Sequence, residues 1–189
     1  MPAVLLDRDG VINHHRHDYV TSWEEFRFLP RALAALAAMR QAGFRVAVVT
    51  NQSAVGRGLM APETLEHIHL QMLDRCRNAG GAIEAVFACV HTPWDACACR
   101  KPRPGMIINA IKSLRERPET CVVVGDSASD LRAARTAGVP FILVRTGQGE
   151  ETLAQIRGNG LRPDAVVDDL WGAFLAVRAW FAAGERLAA

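Results

Sequence analysis

The sequence predicts an α/β fold, a doubly wound and mainly parallel sheet with helices on both faces. Three observations predict it. Short apolar runs alternate with longer stretches patterned as helices. The runs are continuous in apolar residues, as strands covered on both faces require. Each of the first four runs is followed at once by polar or unusual residues, and open α/β sheets bind ligands at the carboxyl ends of their strands.

In chain order the predicted strands are 3–6 (AVLL), 45–49 (RVAVV), 85–90 (AVFACV), 121–124 (CVVV) and 141–144 (FILV), with 165–167 (AVV) as a weaker sixth. Between them, 30–43 has a proline at its start and Gly43 at its stop, the signature of a helix. Residues 61–81, 104–117 and 128–138 read as three more helices, and a last one follows Asp169. Leu33 and Leu36 pack the first helix, Trp171, Phe174 and Trp180 the last, and Asp168 and Asp169 cap that last helix.

With 189 residues, 50% of them hydrophobic and 22% charged, the chain fits a single domain spanning 1–189. A core of that size buries roughly 70% of the unfolded chain's surface, so it needs no disulfide staples. A formal charge of +2 gives no reason to expect nucleic acid or an anionic membrane as partner, and no apolar run approaches 18 residues. The opening reaches an acid at Asp7 with no charged leader, so a cytoplasmic protein acting on a small molecule, and a monomer, is expected. The five cysteines are odd in number and three crowd into eleven residues, which suits metal binding in a reducing compartment.

The first run ends in "DRDG", two aspartates two positions apart. Like charges that close are costly to desolvate without a cation or a chemical task. Asp126 and Asp130 of "GDSASD" converge on the same sheet edge from far along the chain. One acid there could cap a turn; four with no nearby relief call for a hard divalent cation such as magnesium, with Asp7 and Asp126 as ligands. Asp7 is the candidate nucleophile and Asp9 the candidate acid and base. Gly10 lets backbone approach the site. Thr50 and Lys101 supply donors for a phosphoryl group, and Arg100, with its rigid fork, suits a second phosphate.

"CVHTPWDACAC" aligns Cys89, His91, Cys97 and Cys99, three thiolates and one imidazole, the composition of a closed structural zinc site that would aim Arg100 and Lys101. Cys76 and Cys121 read as inert buried thiols. His14, His15 and His17 read as solvated or substrate-facing, and His67 and His69, two apart on a helix, cannot share a face.

"DRDG", "TNQS", "RKP" and "GDSASD", in this order, resemble the four motifs of the haloacid dehalogenase superfamily of phosphohydrolases. The resemblance implies a Rossmann-like sheet and magnesium held by Asp7, Asp126 and the backbone carbonyl of Asp9, with Asp130 in support. It also implies Thr50 and Lys101 on the phosphoryl group and an aspartyl-phosphate intermediate. The gap between Asp9 and Arg31 leaves no room for a large cap, so the 13–28, 53–60 and zinc loops should close the site. Within the superfamily, "TNQSAVGRG", "RKPRPGM" and the early "DYV" resemble the heptose bisphosphate phosphatases of lipopolysaccharide precursor synthesis. Histidinol-phosphate phosphatases are a near branch. The resemblance implies substrate contacts from Asp18, Tyr19, Thr50, Asn51, Gln52, Ser53, Arg100, Lys101 and Ser127. "INHHRHDYV" departs from the acidic, glycine-bearing version of that stretch, leaving the anomer open. A zinc-stabilised binding protein without catalysis is the reading from another class.

Overall fold

The chain runs β1 (Ala3–Leu6), α1 (Ala32–Gln41), β2 (Arg45–Asn51), α2 (Ser53–Gly56), α3 (Pro62–Asn78), β3 (Ala85–Cys89) and α4 (Gly105–Ser113). It continues through β4 (Cys121–Gly125), α5 (Ala128–Thr136), β5 (Phe141–Val144), α6 (Gly149–Ile156), β6 (Ala165–Val167) and α7 (Leu170–Ala182). These assignments come from a computed structural model, which describes residues 2–158 and 160–182. The six strands form one sheet in the order β3-β2-β1-β4-β5-β6, and every pair is parallel.

Because side chains alternate across a strand, the apolar runs feed two cores at once. Val4 pairs with Val46 and Val122, and Leu6 with Val48 and Val124. This face is covered by Leu36 and Met39 of α1, Ile68 and Met72 of α3, and Phe174 and Val177 of α7. Leu5, Val49, Val123 and Phe141 face the other way, against Ile107 of α4, Leu131 of α5 and Ile156 of α6. Each such side chain, fully buried, stabilises the fold by about 1.5–3 kcal/mol.

The sheet's centre is also its switch point. β1 is followed by β2 on one side and, much later, by β4 on the other, so the crevice between their carboxyl ends is open for a ligand. Between Gly10 and Ala32 the chain forms only a loop with a short 3-10 turn at Trp23–Glu25, and no cap domain.

Four local expectations change. The 85–90 run is an edge strand, ending at Cys89 with Ala88 exposed, since only β2 pairs with it. The helix expected over 104–117 stops at Ser113, and Arg115 takes a left-handed turn ahead of Pro118. α6 was not anticipated, because its first residue is a glycine; a Cβ at Gly149 would overlap the Val144 carbonyl oxygen. Only Asp169 caps α7, its Oδ1 accepting from Gly172 N at 2.8 Å, while Asp168 pairs with Arg145 in solvent. Trp171, Phe174 and Trp180 pack α7 as expected. No described helix is long and apolar enough to cross a membrane.

Candidate active site

Asp7 leaves the end of β1 while its backbone N–H still donates to Val124 O of β4 at 2.9 Å. That register puts its carboxylate beside the groups leaving β4. Oxygens of Asp7, Asp126 and Asp130 lie within 4.8 Å of one another. Lys101 reaches in from the loop before α4: its Nζ is 3.0 Å from Asp7 Oδ1 and 2.5 Å from Asp130 Oδ1, and donates to Val49 O at 2.8 Å. All three ammonium donors are thus engaged inside the fold. Lys101 keeps its place through Asn51, whose amide donates to Lys101 O and accepts from Lys101 N, both at 3.1 Å.

Burial pushes the Asp7 carboxyl up to about 7, with Asp130 and Asp9 adding to the rise and Lys101 opposing it. Burial, then the neighbouring Asp7 and Asp130 charges, raises Asp126 well above the carboxylate range. Burial works against the Lys101 charge, but Asp130 and Asp7 outweigh it and raise the ammonium's pKa. With Lys101 offsetting one of three clustered acids, the remaining pair fits a hard dication, and the donors are all carboxylate oxygens, the set magnesium takes.

Asp130 is oriented by the start of α5. Its Oδ2 accepts from Ser127 N at 3.1 Å and Ser127 Oγ at 2.6 Å, while Ser127 caps the helix.

Asp9 has a different environment. Its Oδ1 accepts from Arg8 Nη2 at 3.0 Å and Asn13 Nδ2 at 2.8 Å, and its Oδ2 from Gln52 Nε2 at 2.7 Å. Burial pushes its carboxyl up, but the Arg8 charge and these donors outweigh it and leave the pKa below the usual value. Gln52 also donates to Thr50 Oγ1 at 2.9 Å, linking acid to hydroxyl. Arg8 lies between the two acids, and its buried guanidinium reaches Asp9 and meets His69 Nε2 at 3.2 Å. Burial, then the Arg8 charge, pushes the His69 imidazolium down to about 4, so this histidine is neutral near pH 7.

A fifth strand end, unforeseen, completes the site. Gln148 N donates to Asp126 Oδ2 at 2.8 Å, Thr146 Oγ1 to Gly10 O at 2.6 Å, and Thr152 Oγ1 to Asp126 O at 2.8 Å. Gly10 (φ +84°) and Gly147 (φ +60°) flank Asp126 so closely that a Cβ on either would overlap its Oδ2. The signal was legible in "TGQG", which follows 141–144 at the same sheet edge.

The cavity above these groups has a volume of about 360 Å³. Asp7, Asp9, Tyr19, Thr50, Asn51, Gln52, Ser53, Arg100, Lys101, Asp126 and Ser127 line it, together with His15 and His17. Arg16, Arg57 and Gln148, which the sequence did not single out, line it as well. Asp18 does not: its largely exposed carboxylate accepts from Arg16 Nη2 at 2.7 Å and so braces a lining residue. The side chains of Asn51 and Gln52 act mainly as braces, as described above.

Beside the cavity, Cys89, His91, Cys97 and Cys99 form a second cluster. Cys89 Sγ is 3.8 Å from Cys97 Sγ and 3.3 Å from Cys99 Sγ, and His91 Nδ1 lies 3.5 Å from Cys89 Sγ and 3.3 Å from Cys99 Sγ. A tetrahedron with zinc–sulfur bonds of about 2.3 Å has sulfur–sulfur edges of about 3.8 Å, so the donors fit. Burial raises the Cys76 and Cys121 thiols to about 11 and 12, as inert cysteines require.

A parallel sheet with an acid-bearing switch point, an ion-paired buried lysine and no cap defines a hydrolase of the haloacid dehalogenase type. A family model described as HAD-hydrolase-like matches residues 98–173. The D-glycero-beta-D-manno-heptose-1,7-bisphosphate 7-phosphatase of Neisseria meningitidis serogroup A is 43% identical over 155 residues, covering 82% of this chain and 83% of the relative. A D-glycero-alpha-D-manno-heptose-1,7-bisphosphate 7-phosphatase of Mycobacterium bovis is 37% identical over 97% of this chain and 94% of its own. The crystal structure of D,D-heptose 1,7-bisphosphate phosphatase from Bordetella bronchiseptica, complexed with magnesium and phosphate, superposes with a TM-score of 0.88 at 40% identity, over 94% of this chain and 98% of that one. The chain belongs to the heptose 1,7-bisphosphate 7-phosphatase family of HAD-like hydrolases.

Proposed function

We propose that this protein is a cytoplasmic phosphomonoesterase, one domain over residues 1–189, that removes the 7-phosphate of D-glycero-D-manno-heptose 1,7-bisphosphate in lipopolysaccharide precursor synthesis. The observation that carries the chemistry is the pairing of Asp7 and Asp9, one carboxylate beside Lys101 and the other wrapped in donors. The names of the family's members support the substrate.

An Asp7 oxygen attacks phosphorus in line, forming an aspartyl-phosphate as the sugar oxygen's bond to phosphorus breaks; Asp9 donates the proton that the departing oxygen needs. Water then attacks phosphorus, Asp9 takes its proton, and Asp7 is released with inorganic phosphate. The hydrogen bonds at Asp9 are two donors on Oδ1 and one on Oδ2, which leaves a site on Oδ2 for the proton that Asp9 carries in the first half-reaction. Thr50 and Lys101 face the transferring oxygens. Magnesium would be held by Asp7, Asp126 and the Asp9 carbonyl, with Asp130 in support, and would supply positive charge to the phosphoryl oxygens. Zinc, held by Cys89, His91, Cys97 and Cys99, would pin the loop that ends in Arg100 and Lys101. Arg100, Arg16 and Arg57 suit the phosphate that is kept.

Asp7→Asn should leave the fold intact and abolish phosphate release. The two anomers of the heptose bisphosphate and histidinol phosphate, compared by kcat/KM in the parent protein, test the substrate. Histidinol phosphate as the better substrate, or an active Asp7→Asn protein, would overturn the reading.

A further inference from the structure

We propose that His69 is a positioning residue that acts through Arg8 to orient Asp9. The inference rests on the role given to Asp9 above.

Arg8 follows Asp7 directly, and its side chain is fully buried. A guanidinium has donors only, so it must find acceptors. Nη2 finds the Asp9 carboxylate at 3.0 Å, and Nη1 finds His69 Nε2 at 3.2 Å. Nε is buried without a hydrogen-bond partner. The Phe26 ring, with its centroid 5.8 Å from the guanidinium carbon, offers a face but no acceptor. Asp9 and His69 are therefore the two polar anchors at the tip of this side chain. Since Arg8 can only donate, His69 accepts at Nε2 and carries its proton on Nδ1.

His69 projects from the middle of α3, a helix of 17 residues packed on the sheet through Leu65, Ile68 and Met72. It therefore holds Arg8 from a rigid element, while Asp9 sits in the loop after β1. Without His69, a buried donor loses its acceptor, and the guanidinium shifts to find another. Any such shift is passed to Asp9, whose carboxylate shares the other end of the fork. A histidine that merely fills space beside α3 would lack this effect.

The test uses the full chain with magnesium and the heptose bisphosphate, reading kcat and KM separately. His69→Leu should lower kcat roughly tenfold with KM within about twofold of the parent, and His69→Gln, which restores an acceptor, should recover most of the loss. In an Arg8→Met background, His69→Leu should slow the enzyme no further. His69→Met replaces His69→Leu if the latter does not fold. A folded His69→Leu or His69→Met protein with parental kcat overturns the inference, as does an undiminished effect in the Arg8→Met background. Asp9→Asn in the same assay separates the two claims. An active Asp9→Asn protein removes the role given to Asp9, whereas an inactive one beside a parental His69→Leu removes only the role of His69.

Discussion

Lys101→Met is the most informative stability experiment on this site. The substitution keeps most of the side-chain volume and removes one charge with three contacts, to Asp7 Oδ1, Asp130 Oδ1 and Val49 O. Breaking a buried ion pair by deleting one partner costs about 3–5 kcal/mol, because the other charge is left uncompensated. For a domain of this length that corresponds to a fall in Tm of about 6–20 °C. The loss depends on pH with a definite sign. Burial holds the Asp7 carboxyl pKa up at about 7 even though Lys101 lowers it. Deleting the lysine raises that pKa further, so the variant's acid is protonated when folded over a wider range in which the unfolded chain is ionised. The deficit is therefore largest above pH 7 and shrinks as pH falls to about 7, below which both folded proteins hold Asp7 protonated and this part of the difference no longer changes. Thermal unfolding of parent and variant in EDTA, at pH 8 and pH 5, measures it. Equal Tm values at pH 8, or a gap that widens on acidification, would refute the assignment of Lys101 as counter-charge to the acid cluster.

Two further outcomes follow from the geometry. Gly10→Ala forces a Cβ onto Asp126 Oδ2 at a left-handed backbone position. It should destabilise the fold by about 1–2 kcal/mol from backbone strain alone and raise the magnesium concentration needed for half-maximal activity, both read from titrations of the purified protein. Cys99→Ser should lower bound zinc to well under one equivalent by metal analysis and reduce Tm, with free Cys76 and Cys121 remaining unreactive toward thiol reagents until the protein unfolds.

The parts legible in the sequence share a property: a side chain of the right chemistry sits directly after a run of strand residues. Asp7, Thr50 and Asp126 are of this kind, while Lys101 was legible from its setting beside the cysteine and histidine spacing of 89–99. What escaped is carried by backbone or by direction. Gln148 acts through its N–H, and Gly147 through the absence of a Cβ, neither of which composition records. Arg8 carries no signal of its contact with Asp9, because strand alternation does not record how far a side chain of that length reaches. Asp18 sits in a motif that touches the cavity, yet the left-handed turn at Tyr19 brings only its neighbours to the lining. Nor does an apolar run reveal whether its strand has one neighbour or two, and so 85–90 and 165–167 could not be recognised as the sheet's margins.

Asn51 grips the peptide of Lys101 at both its N–H and its C=O, and Cys89 O and Val90 O receive Gln52 N and Gly56 N at the other end of the same segment. The intervening 92–96 stretch is thus held from both ends, and within it the Trp94 ring lies under the Arg57 guanidinium, 4.9 Å from centroid to carbon. A change at Trp94 therefore reaches the cavity rim through Arg57, while the ammonium group beside Asp7 stays where it is.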